Sequence, residues 1–193
     1  MGTRSALRAS IVPAAFVVAL TTLAPPAHAQ EPARKGLMGD LLADVAEVES
    51  KLVGLARAIP TDKYGWRPAE GVRSVGEVVM HVAADNYLIP AGVGAVPPAA
   101  TGIKADDYAT VQAYERKVPA RDAAIGAMQE SFAHLKKAMA GTTDARLGET
   151  ISVFGQSMTV QALWILATTH LHEHLGQMIA YARSNGVTPP WSR

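Results

Sequence analysis

Apolar residues return at alternating spacings of three and four along four separate stretches of this chain, and that rhythm leaves few architectures open. In the first stretch, about Gly36 to Ile59, Leu41, Val45, Val48, Leu52, Leu55 and Ile59 form one stripe of an amphipathic helix, which Pro60 ends. Ser74-Val75-Gly76-Glu77 opens the second. It is a capping box, in which the serine hydroxyl accepts from an early amide and the glutamate reaches back to the cap. That helix runs through Val78, His81, Val82 and Asp85 to about Leu88, and Pro90 stops it. The third follows Pro119, carries Ile125, Met128, Phe132, Leu135 and Met139, and ends near Gly141. The fourth spans about Thr159 to Ser184, with Asn185-Gly186 as its cap.

The remaining segments are short or aperiodic. Residues 106–116 suit a short helix, and Glu149–Val153 and Met158–Val160 flank Phe154-Gly155-Gln156-Ser157 as a small hairpin. From Ile89 to Lys117 there are few stripe residues, two adjacent prolines and several glycines, so this stretch is expected to be the most mobile of the domain. Four helical stripes can only be buried against one another. The expected fold class is all-α: a four-helix bundle with one long crossover and a small hairpin before the last helix.

The first 29 residues read differently. Arg4 and Arg8 give a positive start, Ile11 to Leu23 is a short apolar run, and Ala27-His28-Ala29 has the small-x-small form of a cleavage site. This is the plan of a secretory signal peptide (residues 1–29), and the apolar run is too short to span a bilayer comfortably. Residues 30–193 are then one exported domain, periplasmic or secreted, with no membrane anchor after cleavage. Loss of the two leader arginines turns the formal charge from +1 to −1. A near-neutral chain without a basic run offers no electrostatic footprint for nucleic acid. There is no cysteine, which excludes disulfides, thiolate metal sites and a cysteine nucleophile. Any metal ligands must be histidine or carboxylate.

Five histidines remain after the leader: His81, His134, His170, His172 and His174. His170 and His174 share the apolar face of the last helix, about 40° apart around its axis and roughly 6 Å along it, so two imidazoles can share one cation. His81 intrudes between Val78 and Val82 in the same way. Burying three imidazoles without partners costs on the order of several kcal/mol, and a metal ion removes that cost. Read singly, each is equally a core histidine bonded to a neighbour, and spacing does not show that His81 faces the pair. His170-Leu171-His172-Glu173-His174 matches the H-x-x-E-H protease signature, but none of the 19 residues that follow is acidic, so the further carboxylate ligand is lacking. His134 and His172 read as surface residues. Asp85, one turn after His81, is either a partner of the site or an exposed acid. Glu173 reads as either a solvated residue or one that supports a ligand from behind, and Gln177, three residues after His174, as one that supports the site by bonding across the bundle. Gly176 reads as a site of close helix packing, and Trp66, Trp164 and Trp191 as core or lid.

Trp66-Arg67-Pro68 before the capped helix with its histidine, Phe154-Gly155 before the last helix, and His170-x3-His174 followed by Leu175-Gly176-Gln177 resemble the DinB-like (YfiT-type) metalloenzyme family over nearly all of residues 36–186. The resemblance implies an up-down-down-up bundle and a divalent metal held by His81, His170 and His174, zinc first, with nickel, iron or manganese as alternatives. Leu175 departs from the arginine that many relatives place before Gly-Gln, so a cationic group that steers anionic substrates is missing there.

Three neutral nitrogens leave an open metal position, which favours a metal-dependent hydrolase acting on a small-molecule substrate. The alternatives are a non-catalytic metal- or ligand-binding bundle and the thiol-dependent S-transferases and isomerases of the resembled family. A homodimer is compatible with any of these. If the leader is removed, mass spectrometry of protein from its native host finds Gln30 as the first residue. Intact protein beginning at Met1 in the membrane fraction contradicts the export reading.

Overall fold

Local sequence fixes each helix before packing does. In the computed structural model, residues 1–2 and 35–192 are described, so the leader reading lies outside the described residues. Helix α1 is Leu37–Ala58, and it ends where Ile59, the residue before Pro60, takes an extended conformation. Helix α2 is Val75–Leu88 and carries the full capping box: Glu77 N donates to Ser74 Oγ at 3.3 Å, and Ser74 N donates to Glu77 Oε2 at 2.6 Å. Helix α3 is Tyr108–Glu115, capped by the Asp107 side chain. Helix α4 is Arg121–Gly141. Strands β1 (Thr150–Val153) and β2 (Gln156–Thr159) pair antiparallel with Val153 opposite Gln156. Helix α5 is Val160–Ser184, capped by Thr159 Oγ1.

Cross-helix contacts give the connectivity. Helices α1 and α2 each pack against α4 and α5. Glu49 of α1 pairs with Lys136, and Arg57 meets Gln129, so α1 and α4 run antiparallel. Asp44 of α1 meets His172, and Lys51 lies 5.9 Å from the Trp191 ring just beyond α5, so α1 and α5 run parallel. Asp85 meets His170 while Arg73, just before α2, accepts from Tyr181, so α2 and α5 are antiparallel. Gly76 lies beside Val118, before α4, and Asn86 bonds Ser131 within it, so α2 and α4 are parallel. The bundle is therefore up-down-down-up, and the parallel α2–α4 neighbours require the long crossover that carries α3.

Helix α2 is the central element. Of its 14 residues only Glu77 and Asp85 are not buried, as expected of a helix enclosed on every side. The main core packs its Val75, Val78, Val79 and Val82 with Leu52 and Leu55 of α1, Phe132 and Leu135 of α4, and Leu163, Trp164 and Leu171 of α5. No helix among the described residues is long and apolar enough to cross a membrane.

The crossover departs from the expectation that little apolar area ties it down. Ile103 and Val111 are buried with Ala84, Tyr87 and Leu88 in a second apolar cluster, and α3 packs directly on α2. The two anchors lie eight residues apart and never form a stripe, so helical periodicity does not reveal them.

The hairpin turns through Phe154 and Gly155, both at positive φ (54° and 73°), the geometry of a two-residue primed turn. It leans on the turn after α2 at Gly92. There a side-chain carbon would sit 2.6 Å from Val153 Cγ2 and 3.2 Å from Leu163 Cδ2. Valine is stiff at χ1 and cannot swing away. Gly92→Ala should therefore destabilise the protein by about 1–3 kcal/mol in urea unfolding. Gly126→Ala, in open space on α4, should stabilise it by about 0.5–1 kcal/mol through helix propensity. Equal stability of the two variants contradicts the close approach.

Candidate metal centre

The antiparallel register of α2 and α5 carries His81 between His170 and His174. The three rings meet edge to face. Their centroids are 5.3 Å apart for His81–His170, 4.6 Å for His81–His174 and 4.4 Å for His170–His174, with planes 77–84° apart. One ligand atom from each lies within 4.8 Å of those of the other two. His81 and His174 are only 7% and 6% exposed, and His170 is half-buried.

Hydrogen bonds choose which nitrogen each ring turns inward. His81 Nδ1 meets Glu115 Oε1 at 2.8 Å, and Glu115 Oε2 in turn lies 3.4 Å from Arg73. His174 Nδ1 meets Gln177 Oε1 at 2.8 Å. Gln177 Nε2 donates to Tyr181 Oη, which donates to the Arg73 carbonyl. Each Nδ1 faces an oxygen acceptor and so carries the proton, which leaves each Nε2 with a free lone pair. Asp85 stands beside the cluster, its Oδ2 2.8 Å from His170 Nε2 and 3.5 Å from His81 Nε2. The nearer approach lacks hydrogen-bond geometry, so the buried His170 Nε2 has no hydrogen-bond partner among the described residues.

Electrostatics point the same way. Burial pushes the His174 pKa down to about 4, helped by the neighbouring His170 and His81 and opposed by the Gln177 bond. At neutral pH that imidazole is uncharged. Burial alone would raise the Glu115 pKa, but its hydrogen bond to His81 and the charge of Arg73 outweigh burial and hold it low. The cluster thus joins imidazole lone pairs to a carboxylate wall, and His170 Nε2 meets the Asp85 carboxylate at 2.8 Å without hydrogen-bond geometry. A cation or water between such groups satisfies both. Nitrogen and oxygen donors bordering an open cleft suit a divalent ion.

Of the residues singled out from sequence, His81, His170, His174, Asp85 and Gln177 come together. Glu173 does not: it is exposed and bonds none of the three imidazoles among the described residues, because it falls on the solvent side of α5. His172 is also exposed and binds Asp44 of α1 at 2.8 Å, on another face of the helix. His134 departs from the surface reading. It is half-buried on α4 with its ring 5.3 Å from that of Tyr87, and it is not one of the three histidines that converge. Gly176 is exposed, and a side chain there would meet nothing within 4 Å, so close packing is not its role. Trp164 is wholly buried, Trp66 stacks edge-on against Tyr181, and Trp191 is exposed. Glu115 is the residue that sequence reasoning missed. It lies 34 positions from His81 at the end of a short helix, and no local pattern marks it.

Comparison with known proteins places this geometry. No curated protein matches the chain in sequence. Among solved structures, a DinB-like protein from Bacillus cereus ATCC 10987 superposes with a TM-score of 0.62 at 19% identity, covering 80% of this chain and 95% of that one. YfiT from Bacillus subtilis, described as a probable metal-dependent hydrolase with an unusual four-helix bundle topology, gives 0.59 at 14% identity, over 82% and 95%. A mycothiol-dependent maleylpyruvate isomerase variant gives 0.61 at 13% identity, over 74% of this chain and 60% of its own. These likenesses establish the DinB-like bundle. The sequence profile of the DinB superfamily matches residues 45–178, and the chain belongs to that superfamily.

Proposed function

We propose that this protein is an exported metal-dependent hydrolase whose divalent ion, zinc foremost, is held by Nε2 of His81, His170 and His174. The observation that carries the reading is the convergence of two buried imidazoles, whose outer nitrogens are engaged by Glu115 and Gln177, with the half-buried His170. Export rests on the leader pattern of residues 1–29.

Each residue has a distinct task in this scheme. The His81, His170 and His174 nitrogens would hold a divalent ion, which would supply Lewis-acid chemistry and lower the pKa of a water. Glu115 and Gln177 hold the His81 and His174 rings in the tautomer that presents Nε2, and the Tyr181–Arg73 link fixes Gln177 in turn. Asp85, with Oδ2 beside two of the three nitrogens, is placed to take the proton of an attacking water and to return it to a leaving group. Fixed, partly buried groups spend little energy on reorganisation as charge develops.

Elemental analysis of single variants tests the assignment. His81→Ala, His170→Ala and His174→Ala should each retain less than about a tenth of the wild-type zinc, because two imidazoles hold a divalent ion poorly. His172→Ala should retain it all. Asp85→Asn should keep most of the metal and lose about 100-fold or more of whatever ester or amide hydrolysis a substrate screen detects, within the range for a general base. Equal metal content in the His170→Ala and His172→Ala proteins overturns the ligand set.

A further inference from the structure

Two clefts border the centre, and they differ in chemistry. One, of about 250 Å³, is lined by Arg67, Arg73, Arg116, Glu77 and Glu115. It reaches Glu115, which lies behind the Nδ1 of His81, so it adjoins the outer hydrogen bond and not the inward-facing nitrogens. Two of its arginines are also held by its own glutamates. The other, of about 310 Å³, includes Asp85 and His170 themselves. Its walls are Leu88, Ile89 and Leu166, and Tyr108 and Phe154 stand at its exposed rim, 55% and 53% accessible. This volume falls at the small end of ligand pockets, roughly 300–1,000 Å³. Among the described residues that line it, none is lysine or arginine, and the one acid is Asp85. Away from the metal centre itself, an anionic group on the substrate's far end meets apolar walls and no lysine or arginine of the lining.

Phe154 strengthens the case. It sits at φ 54°, a region in which a bulky side chain is an outlier and which asparagine or glycine occupies far more readily. The turn itself gains nothing from phenylalanine there. Residues strained in this way cluster at functional sites, and here the ring borders the cleft that opens on the histidines.

Resting on the metal-centre reading above, we propose that the cleft between the hairpin tip and the α2–α5 pair binds the neutral, apolar acyl or aryl portion of the substrate. The substrate's polar oxygen is thereby directed to the three-histidine centre, and Phe154 is a specificity-determining residue. Substrates are then uncharged esters or amides with a compact hydrophobic group, and negatively charged acyl chains are rejected.

The test uses the cobalt(II)-loaded full domain, titrated by visible absorption with three hydroxamates: phenyl, methyl, and a short chain ending in carboxylate. Benzohydroxamate should bind about tenfold or more tightly than acetohydroxamate, as expected when a phenyl ring leaves water. The carboxylate-bearing ligand should bind no better than acetohydroxamate. Phe154→Asn, which suits the turn and should fold at least as stably, should cut the phenyl preference below about threefold with cobalt content unchanged. Equal affinity for phenyl and methyl, tightest binding of the carboxylate ligand, or an undiminished preference in Phe154→Asn overturns the assignment. Cobalt content of the same samples separates the two levels of failure. A loaded protein without phenyl preference contradicts the cleft alone, and a protein that takes up no cobalt contradicts the centre and the cleft together.

Discussion

Three imidazole edges meeting between two antiparallel helices set the terms for the rest of this molecule. Helix α2 is enclosed by α3, α4 and α5, so its polar side chains at positions 81 and 86 must find partners inside the protein. Asn86 does so conventionally, by donating to Ser131 Oγ. His81 does so by turning one nitrogen to Glu115 and the other towards His170, His174 and Asp85. A shift of one residue in the α2–α5 register would rotate one set of imidazoles by about 100° and dissolve the cluster.

The crossover has a corresponding place in the design. Parallel neighbours α2 and α4 cannot be joined by a tight turn, so a long connection must run the length of the bundle. This chain uses that length twice. Ile103 and Val111 cover the outer face of α2, and Glu115 at the end of α3 reaches the back of His81. The segment that links two helices thereby orients a candidate ligand. The hairpin between α4 and α5 has a parallel role at the other border, where it carries Phe154 to the cleft beside His170.

The bundle was largely legible in the sequence because each long helix announces itself by local chemistry: an apolar stripe, a Ser74–Glu77 box, a proline or glycine beyond the end. The alternation of Leu41, Val45, Val48, Leu52 and Leu55 needs no tertiary information to be read. His170 and His174 were legible for the same reason, since their spacing alone puts them on one face. His81 joined them through family resemblance and its place in an apolar stripe, as spacing within one helix says nothing about what another helix brings opposite. Glu115 was illegible because its partner is 34 residues away and α3 has no strong stripe. Of the two readings open for Glu173, its exposure agrees with the solvated one: adjacency in the chain to His174 places it about 100° around the axis, on the solvent side. His134 looked like a surface residue because the Tyr87 ring that half-covers it comes from another helix.

Membership of the DinB superfamily, the bundle topology and the histidine cluster converge on one physical claim, that His81, His170 and His174 together bind a single divalent ion. X-ray absorption at the zinc edge of the loaded protein addresses it without assuming any substrate. The account predicts a four- or five-coordinate shell of nitrogen and oxygen with three imidazoles, identified by their outer-ring scattering, at about 2.0–2.1 Å. A shell with fewer than two imidazoles, or a spectrum unchanged in the His170→Ala protein, would contradict it.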